Sequence, residues 1–259
     1  MDERKELKEE KMIGTIKTTS MESCIHMMLA AVSPLQKVLD KPGFTHEVCN
    51  RQALIILKND GLEKYAELLA PFYVYFYLGV YWVDNDWKYI NYYFESYIRR
   101  GLWNFSNAVD TFEMYYQHSL KYLRQYDIKK SIFYLGAAAH LLQDLCVPHH
   151  ARAKLLNGHK AYELWAQSRS QDYAVTKDGI YQEGEAPLLL TVKNAEIAAD
   201  FFDWVCYEGD EIFYDKVTSK LLPLAQRSTA GLFLNYAQEM LKLTASQINS
   251  NAFKYRIIN

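Results

Sequence analysis

The segment YDIKKSIFYLGAAAHLLQDLCVPHHARAKLLNGHKAYELWAQ, residues 126–167, contains four of the seven histidines of the chain. His140 and Asp144 are four residues apart in a run rich in Ala and Leu, so on a helix both side chains project from the same face. His159 and Glu163 repeat this spacing. The segment therefore predicts two helices, each of which presents an imidazole and a carboxylate side by side.

Pro148 ends the first of these helical runs, and His149 and His150 follow at once, so another imidazole comes near the first pair. A single histidine–carboxylate pair at helical spacing is usually a surface hydrogen bond. Two pairs are different, because Asp144 lies among alanines and leucines, where a carboxylate is costly to bury without a partner or a cation. Imidazole and carboxylate together suit zinc or another first-row divalent ion, whereas an oxygen-only set would suit calcium or magnesium. We therefore expect a metal centre.

A longer pattern, F-Y-L-G-x-x-x-H-x-x-x-D-x-x-x-P-x-H followed by G-H-x-x-x-E, runs from Phe133 to Glu163. This string resembles the bacterial zinc-dependent phospholipase C family. AQRSTAG, residues 225–231, resembles the Q-x-x-T-A-G signature on that family's last long helix. The resemblance implies an all-α, single-domain multi-helix bundle of the type shared with single-strand nucleases, without a C-terminal lipid-binding β-sandwich. We expect a charged arm at residues 1–15, the helical domain at 16–250 and a tail at 251–259.

The family pattern implies three neighbouring zinc sites. Seven residues match its ligands: His26, Asp84, His140, Asp144, His150, His159 and Glu163. One zinc would be held by the last three of these residues. The sequence supports this site most fully, because every ligand of the pattern is present.

The other two zinc sites depart from the pattern. The second would use His140 and Asp144 with Asp84, and the third would share Asp144 with His26. The histidine that the family has after Asp84 is missing, because no histidine lies between residues 46 and 118. The tryptophan that the family pattern places before the histidine of the third site is also missing, because no tryptophan precedes His26. By the same resemblance, Asp84 is the catalytic candidate that orients or deprotonates the attacking water.

The implied activity is zinc-dependent hydrolysis of a phosphodiester, cleaving a phospholipid to diacylglycerol and a phosphorylated head group. Two alternatives stay open. A related all-α zinc family of single-strand nucleases and nucleotidases uses similar ligands, and the missing ligands also fit a divergent relative with fewer zincs and altered or no hydrolase activity. The net charge is -2, with 29 basic and 31 acidic side chains, so general nucleic-acid binding is disfavoured.

Composition also bears on location. The four cysteines, Cys24, Cys49, Cys146 and Cys206, are scattered, show no C-x-x-C spacing and are typical of reduced, packing thiols. The first residues, MDERKELKEEK, are densely charged and contain no apolar signal segment. Both features predict a cytoplasmic protein, in contrast to the secreted habit of the family; a trimmed secreted chain would look the same.

The rest of the chain is predicted to form helices and an apolar core. Further helices are expected over residues 19–38, 45–58, 61–69, 106–125, 192–207 and 221–246. His46, near the start of one of them, is interpreted as a surface or capping residue. The aromatic run FYVYFYLGVYWV, residues 72–83, is interpreted as buried core, with an apolar wall for an acyl chain or a lipid surface as the alternative. Peripheral membrane contact is therefore an open expectation.

Overall fold

The computed structural model describes residues 43–84, 92–101, 107–181, 184–207 and 210–258, with side chains except those of Asp84 and residues 246–258. These residues are helical and contain no β-strand apart from an isolated bridge between Glu95 and Arg100. The helices are α1 (Phe44–Leu57), α2 (Glu63–Leu69), α3 (Tyr73–Asp84), α4 (Ala108–Arg124), α5 (Ile128–Asp144), α6 (Pro148–Ala151), α7 (His159–Ser168), α8 (Leu188–Ala199), α9 (Phe202–Val205) and α10 (Glu211–Ile258). The all-α prediction is confirmed.

Helix α5 lies at the centre of the bundle and packs against α1, α3, α4 and α10. Its first turn is capped by Asp127, whose carboxylate accepts a hydrogen bond from the Lys130 backbone N–H at 3.1 Å. Every side chain from Leu135 to Asp144 is buried. Because one face of α5 ends in His140 and Asp144, the helix places an imidazole and a carboxylate at the edge of the apolar core.

Two glycines let α3 and α5 approach closely. A Cβ added to Gly79 would lie 2.0 Å from the carbonyl oxygen of Phe133, and one added to Gly136 would lie 2.4 Å from the carbonyl oxygen of Phe76. Each glycine therefore meets the backbone of the opposite helix, where any side chain would force the helices apart. This contact sets the position of α5, and so of the residues one turn beyond Gly136.

The aromatic run forms α3, and its buried side chains confirm the core interpretation: Phe76 and Val83 are fully buried. One helical run, Phe44–Val83, is long and apolar enough to cross a membrane by length and composition only, and 44% of its most apolar window is buried in the bundle. The run is also interrupted by a π-turn at Lys58–Leu62, where Gly61 has a φ of 78°. Its apolar face is therefore used to pack the bundle.

Two helix boundaries differ from the sequence prediction. Residues 192–207 form two helices, because Phe201 N–H bonds to Ala198 O and closes α8, after which Phe202 packs its ring 5.3 Å from that of His149. The last helix starts earlier than expected, because the Asp210 carboxylate accepts hydrogen bonds from the backbone N–H groups of Ile212 and Phe213. Its backbone continues through residues 251–258.

Candidate metal centre

One cluster of potential ligands joins α1 to α5. The ring of His46 stacks on that of His140 with 3.9 Å between centroids. His46 Nε2 lies 3.4 Å from Asp144 Oδ1, and His140 Nε2 lies 3.1 Å from Asp144 Oδ2. The three residues offer ligand atoms within 4.8 Å of one another, and we call them site 1. His140 and Asp144 are one helical turn apart, as predicted, while His46 is brought in by the packing of α1.

A second cluster, site 2, consists of His150, His159 and Glu163, whose ligand atoms also lie within 4.8 Å of one another. His159 Nε2 is 2.9 Å and His150 Nε2 is 3.4 Å from the same oxygen, Glu163 Oε1. His150 follows Pro148, which occupies the first turn of α6, and His159 is the first residue of α7. The sequence prediction of this cluster is matched by its geometry.

The two sites are neighbours, because Asp144 lies between them. Its Oδ2 is 4.0 Å from His150 Nδ1, in addition to its contacts within site 1. The His150 Nδ1 atom donates a hydrogen bond to the carbonyl oxygen of Tyr92 at 3.0 Å, since a carbonyl can only accept. His150 Nε2 is thus the ring nitrogen that site 2 uses. Asp144 is 5% exposed, so its charge acts in a desolvated setting.

The electrostatics of the cluster favour charged carboxylates. Burial alone would raise the pKa of Asp144, but the imidazoles of His140 and His150 more than offset it and lower the pKa to about 2. Burial likewise would lower the pKa of His150, but the carboxylates of Asp144 and Glu163 raise it to about 9. For Glu163, hydrogen bonds from His150 and His159 outweigh burial and hold the pKa well below its usual range. Glu163 is partly screened, because its side chain is 42% exposed.

His149 packs against His159, one of the residues of site 2. It is fully buried, its Nε2 donates to the carbonyl oxygen of Asn157 at 2.8 Å, and its ring stacks on that of His159 at 4.7 Å. Burial lowers the pKa of His149 to about 4. Because Asn157 and Gly158 precede α7 directly and both have positive φ, this contact fixes the turn that presents His159.

Both sites open into one cleft of about 740 Å³. Its lining includes the six residues of the two sites, the aromatic residues Tyr92 and Tyr93, and Lys160. The cleft is large enough for a polar head group. The sites thus face a shared, accessible space.

The donor set fits zinc. Each site combines two imidazoles with one carboxylate, the nitrogen and oxygen ligands that zinc takes in proteins. His46, His140, His150 and His159 each turn an Nε2 atom toward a carboxylate oxygen, where a proton and a divalent cation compete for the same place. An oxygen-preferring ion would find too few oxygens here.

The structure brings five of the seven predicted ligands together and does not describe the side chains of the other two. His140, Asp144, His150, His159 and Glu163 come together as the sequence indicated. His26 lies outside the described residues, and Asp84 is the last residue of α3, with a side chain that is not described. The assignments of these two residues remain predictions.

The interpretation of His46 as a surface or capping residue was wrong, since it contacts both His140 and Asp144. A signal was present in the sequence: His46 shares a helical face with Cys49, Asn50 and Ala53, all of which are buried. A histidine on the apolar face of a helix near other candidate ligands was a site candidate. No local pattern indicated its partner, because the contact joins two separate helices.

An all-helical bundle that carries adjoining His–His–carboxylate sites in one cleft has the architecture and the donor set that the resemblance to the zinc-dependent phospholipase C class implied. The sequence model of the family described as zinc dependent phospholipase C matches residues 45–219, and the chain therefore belongs to that family. His46 lies at the start of the matched region, whereas His26 lies outside it. No curated protein sequence matches the chain.

Solved structures of two clostridial toxins have the same fold. The alpha toxin of Clostridium absonum superposes with a TM-score of 0.68 at 18% identity, and the Clostridium perfringens alpha-toxin from an avian strain with a TM-score of 0.64 at 18% identity. In both cases the match covers 77% of this chain and 65% of the toxin. The chain thus spans less than two thirds of the length of these toxins.

The prediction of a cytoplasmic location is contradicted by these relatives. The alpha-toxins are secreted extracellular proteins. Three cysteines that the structure describes, Cys49, Cys146 and Cys206, are free and buried. Buried thiols of this kind serve as small apolar side chains in any compartment, so the cysteine pattern was a weak guide to location.

Proposed function

We propose that this chain is a zinc-dependent phosphodiesterase that cleaves a phospholipid into diacylglycerol and a phosphorylated head group. The observation that carries the proposal is the position of Asp144, a buried carboxylate between two imidazole clusters in one cleft. Zinc bound at these sites would supply a water with a pKa near neutrality and positive charge toward the phosphate oxygens. We assign His46, His140 and Asp144 to one zinc, and the residues of site 2 to another.

The protein's own residues would do the positioning. Asp144 directs one oxygen toward His46 and the other toward His140, so a single carboxylate pairs with both of the stacked imidazoles. His150 is fixed by the Tyr92 carbonyl and so keeps Nε2 directed toward Glu163. His140, Asp144 and His150 are buried, which favours ligands held in place before substrate arrives.

Asp84 is proposed as the group that orients or deprotonates the attacking water. The assignment rests on its place in the family pattern and on the packing of α3, the helix that it ends, against α5, which carries His140 and Asp144. A carboxylate in this role accepts a proton from water within hydrogen-bond reach. Asp84→Asn is expected to lower kcat, because an amide keeps the shape but loses the basic oxygen, and to lower zinc content as well where Asp84 also serves as the predicted ligand of the second zinc.

Contact with a lipid surface is a further part of the proposal. Leu156, on the loop between His150 and His159, is 74% exposed, and Tyr207, after α9, is 78% exposed. The loops adjoin, since a Cβ added to Gly158 would lie 3.2 Å from the carbonyl oxygen of Val205. Exposed apolar side chains grouped beside a cleft suit contact with a membrane that contains the substrate.

Vesicle sedimentation tests the lipid contact. Leu156→Ser combined with Tyr207→Ser should reduce binding to phosphatidylcholine vesicles and leave cleavage of a soluble short-chain phospholipid intact. Leu241→Ser, an exposed leucine on α10, is the matched control. Equal binding by the double variant and the control would overturn this part of the proposal.

The main experiment combines metal analysis with product analysis. Zinc is counted in the purified protein, and release of phosphorylated head group from mixed phosphatidylcholine micelles is measured for the wild type and for His140→Ala. We expect bound zinc and head-group release in the wild type, and in the variant loss of the site 1 zinc and of head-group release, because the residues of site 2 are unchanged. Cleavage of single-stranded DNA instead would favour the nuclease alternative. One inert zinc with neither activity would identify a divergent, non-hydrolytic relative.

A further inference from the structure

Gln143, the residue before Asp144, is buried where α1, α5 and α10 meet. Its amide takes part in three hydrogen bonds, each 2.9 Å long. Oε1 pairs with His46 Nδ1, and Nε2 pairs with Asn50 Oδ1 and Thr229 Oγ1. A glutamine amide has two N–H groups, so these contacts employ both donors on one side and an acceptor on the other.

The donor and the acceptor in each of these three hydrogen bonds follow from the hydroxyl of Thr229. The hydroxyl of Thr229 has a single proton, which it donates to the carbonyl oxygen of Ala225 at 2.7 Å in its own helix. Toward Gln143 the hydroxyl oxygen can therefore only accept, and only the amide nitrogen of Gln143 can donate to it. Oε1 of Gln143 must then face His46.

An amide oxygen can only accept, so His46 Nδ1 must carry the proton in this contact. The other ring nitrogen, Nε2, lies 3.4 Å from Asp144 Oδ1, on the side where His140 also meets the carboxylate. A neutral His46 in this tautomer presents the lone pair of Nε2 to the centre of site 1. That lone pair is what a metal ion requires of a histidine ligand.

We propose that Gln143, held by Asn50 and Thr229, is a positioning residue that fixes the tautomer and ring orientation of His46 for metal binding. This inference rests on the proposed function, because it takes site 1 to be a zinc site. It assigns a task to Thr229, the threonine of the AQRSTAG segment. Tyr92 does the same for His150 through its carbonyl, so each site has a partner that holds a ligand imidazole by Nδ1.

These hydrogen bonds also explain how the polar side chains of Gln143, Asn50 and Thr229 can be buried. Gln143 is 4% exposed, Asn50 is 1% exposed and Thr229 is fully buried. Buried amides are tolerated when their hydrogen-bonding groups are satisfied, and the contacts above satisfy the amide of Gln143. Replacing one member would leave the others with unpaired polar atoms, so the network is expected to act as one unit.

The test compares Gln143→Met, Thr229→Val and Thr229→Ser in the full-length, zinc-loaded protein. Zinc affinity is measured by competition with a chromophoric chelator, which resolves a change at one site from a change at both. We expect Gln143→Met to weaken one zinc about 10- to 100-fold and to leave the site 2 zinc unchanged, the scale found for partners of metal-bound histidines. Thr229→Val should weaken the same zinc, and Thr229→Ser, which keeps the hydroxyl, should restore it.

Thr191→Val is the matched control. Thr191 is fully buried and donates to Leu188 O in its own helix, as Thr229 donates to Ala225 O, but it lies on α8. It should change zinc affinity at neither site. A second readout, nitrogen NMR of the histidine side chains in the zinc-loaded wild type, should show a proton on Nδ1 of His46.

The outcomes separate the inference from the proposed function. If the wild type binds no more zinc than His140→Ala, site 1 is not a metal site and the proposed function fails with the inference. If the wild type binds zinc there and Gln143→Met, folded by circular dichroism, binds it equally well, only the inference fails. If Gln143→Met does not fold, Thr229→Val against Thr229→Ser decides, and equal affinities would refute the inference. A bare Nδ1 on His46 would also refute it.

Discussion

Replacing Gly136 by Ala should loosen the bundle and weaken site 1 together. The new Cβ would lie 2.4 Å from the carbonyl oxygen of Phe76, and the helix backbone at Phe76 cannot rotate away. Since such atoms pack at about 3.5 Å, α3 and α5 would have to separate by about 1 Å. Overpacking costs about 1 to 3 kcal/mol, and with backbone on both sides we expect about 3. Alanine returns about 1 kcal/mol through its helix propensity.

The net loss is about 2 kcal/mol, which lowers Tm by about 4 to 8 °C in a chain of this size. Differential scanning calorimetry measures that shift. Because His140 lies one turn beyond Gly136 on α5, the same displacement should weaken zinc at site 1 more than at site 2, as chelator competition would show. Unchanged Tm and zinc affinity in Gly136→Ala would refute the reasoning.

Three further predictions concern the metal centre. His159→Ala and Glu163→Gln should each lower zinc content and Tm, measured by plasma emission spectroscopy and calorimetry, while the exposed Glu67→Gln changes neither; no effect in both site variants would overturn the assignment. Stripping zinc with a chelator should lower Tm reversibly, because zinc binds the folded chain; a Tm indifferent to zinc would contradict this. In the stripped protein, the pKa of His150 is about 9 against 6.5 for a free imidazole, so its stabilising contribution is full below pH 6.5 and lost as pH rises through 9. Urea unfolding at pH 6 and pH 9.5 measures the loss, which should shrink in His150→Ala; an equal loss in the variant would exclude His150 as its source.

Local spacing was enough to place most of the metal ligands. His140 with Asp144 and His159 with Glu163 are pairs within single helices, where a separation of four residues dictates a shared face. Pro148 fixed where α5 must stop and so brought His150 next to them. These relations depend on helix geometry alone, and the tertiary fold only had to leave them intact.

The cellular location of the protein and the role of His46 were predicted from sequence features that do not determine them. The arm of charged residues and the scattered cysteines indicated the cytoplasm, a prediction that the secreted relatives contradict. His46 was interpreted as a surface or capping residue because it lies near a helix start, although its neighbours Cys49 and Asn50 are buried. In both cases a weak local pattern was used to predict a property that depends on the rest of the molecule.

An all-α bundle and the two carboxylate–imidazole pairs could be predicted from residue order, because helix periodicity and the spacing of ligands act over four residues. In contrast, no residue pattern indicated that His46 joins His140 and Asp144, or that Gln143 links His46 to Thr229 on the last helix. These contacts depend on how α1, α5 and α10 pack, and on glycines that let α5 approach α3. Packing of this kind is a property of the whole core, so no short segment encodes it.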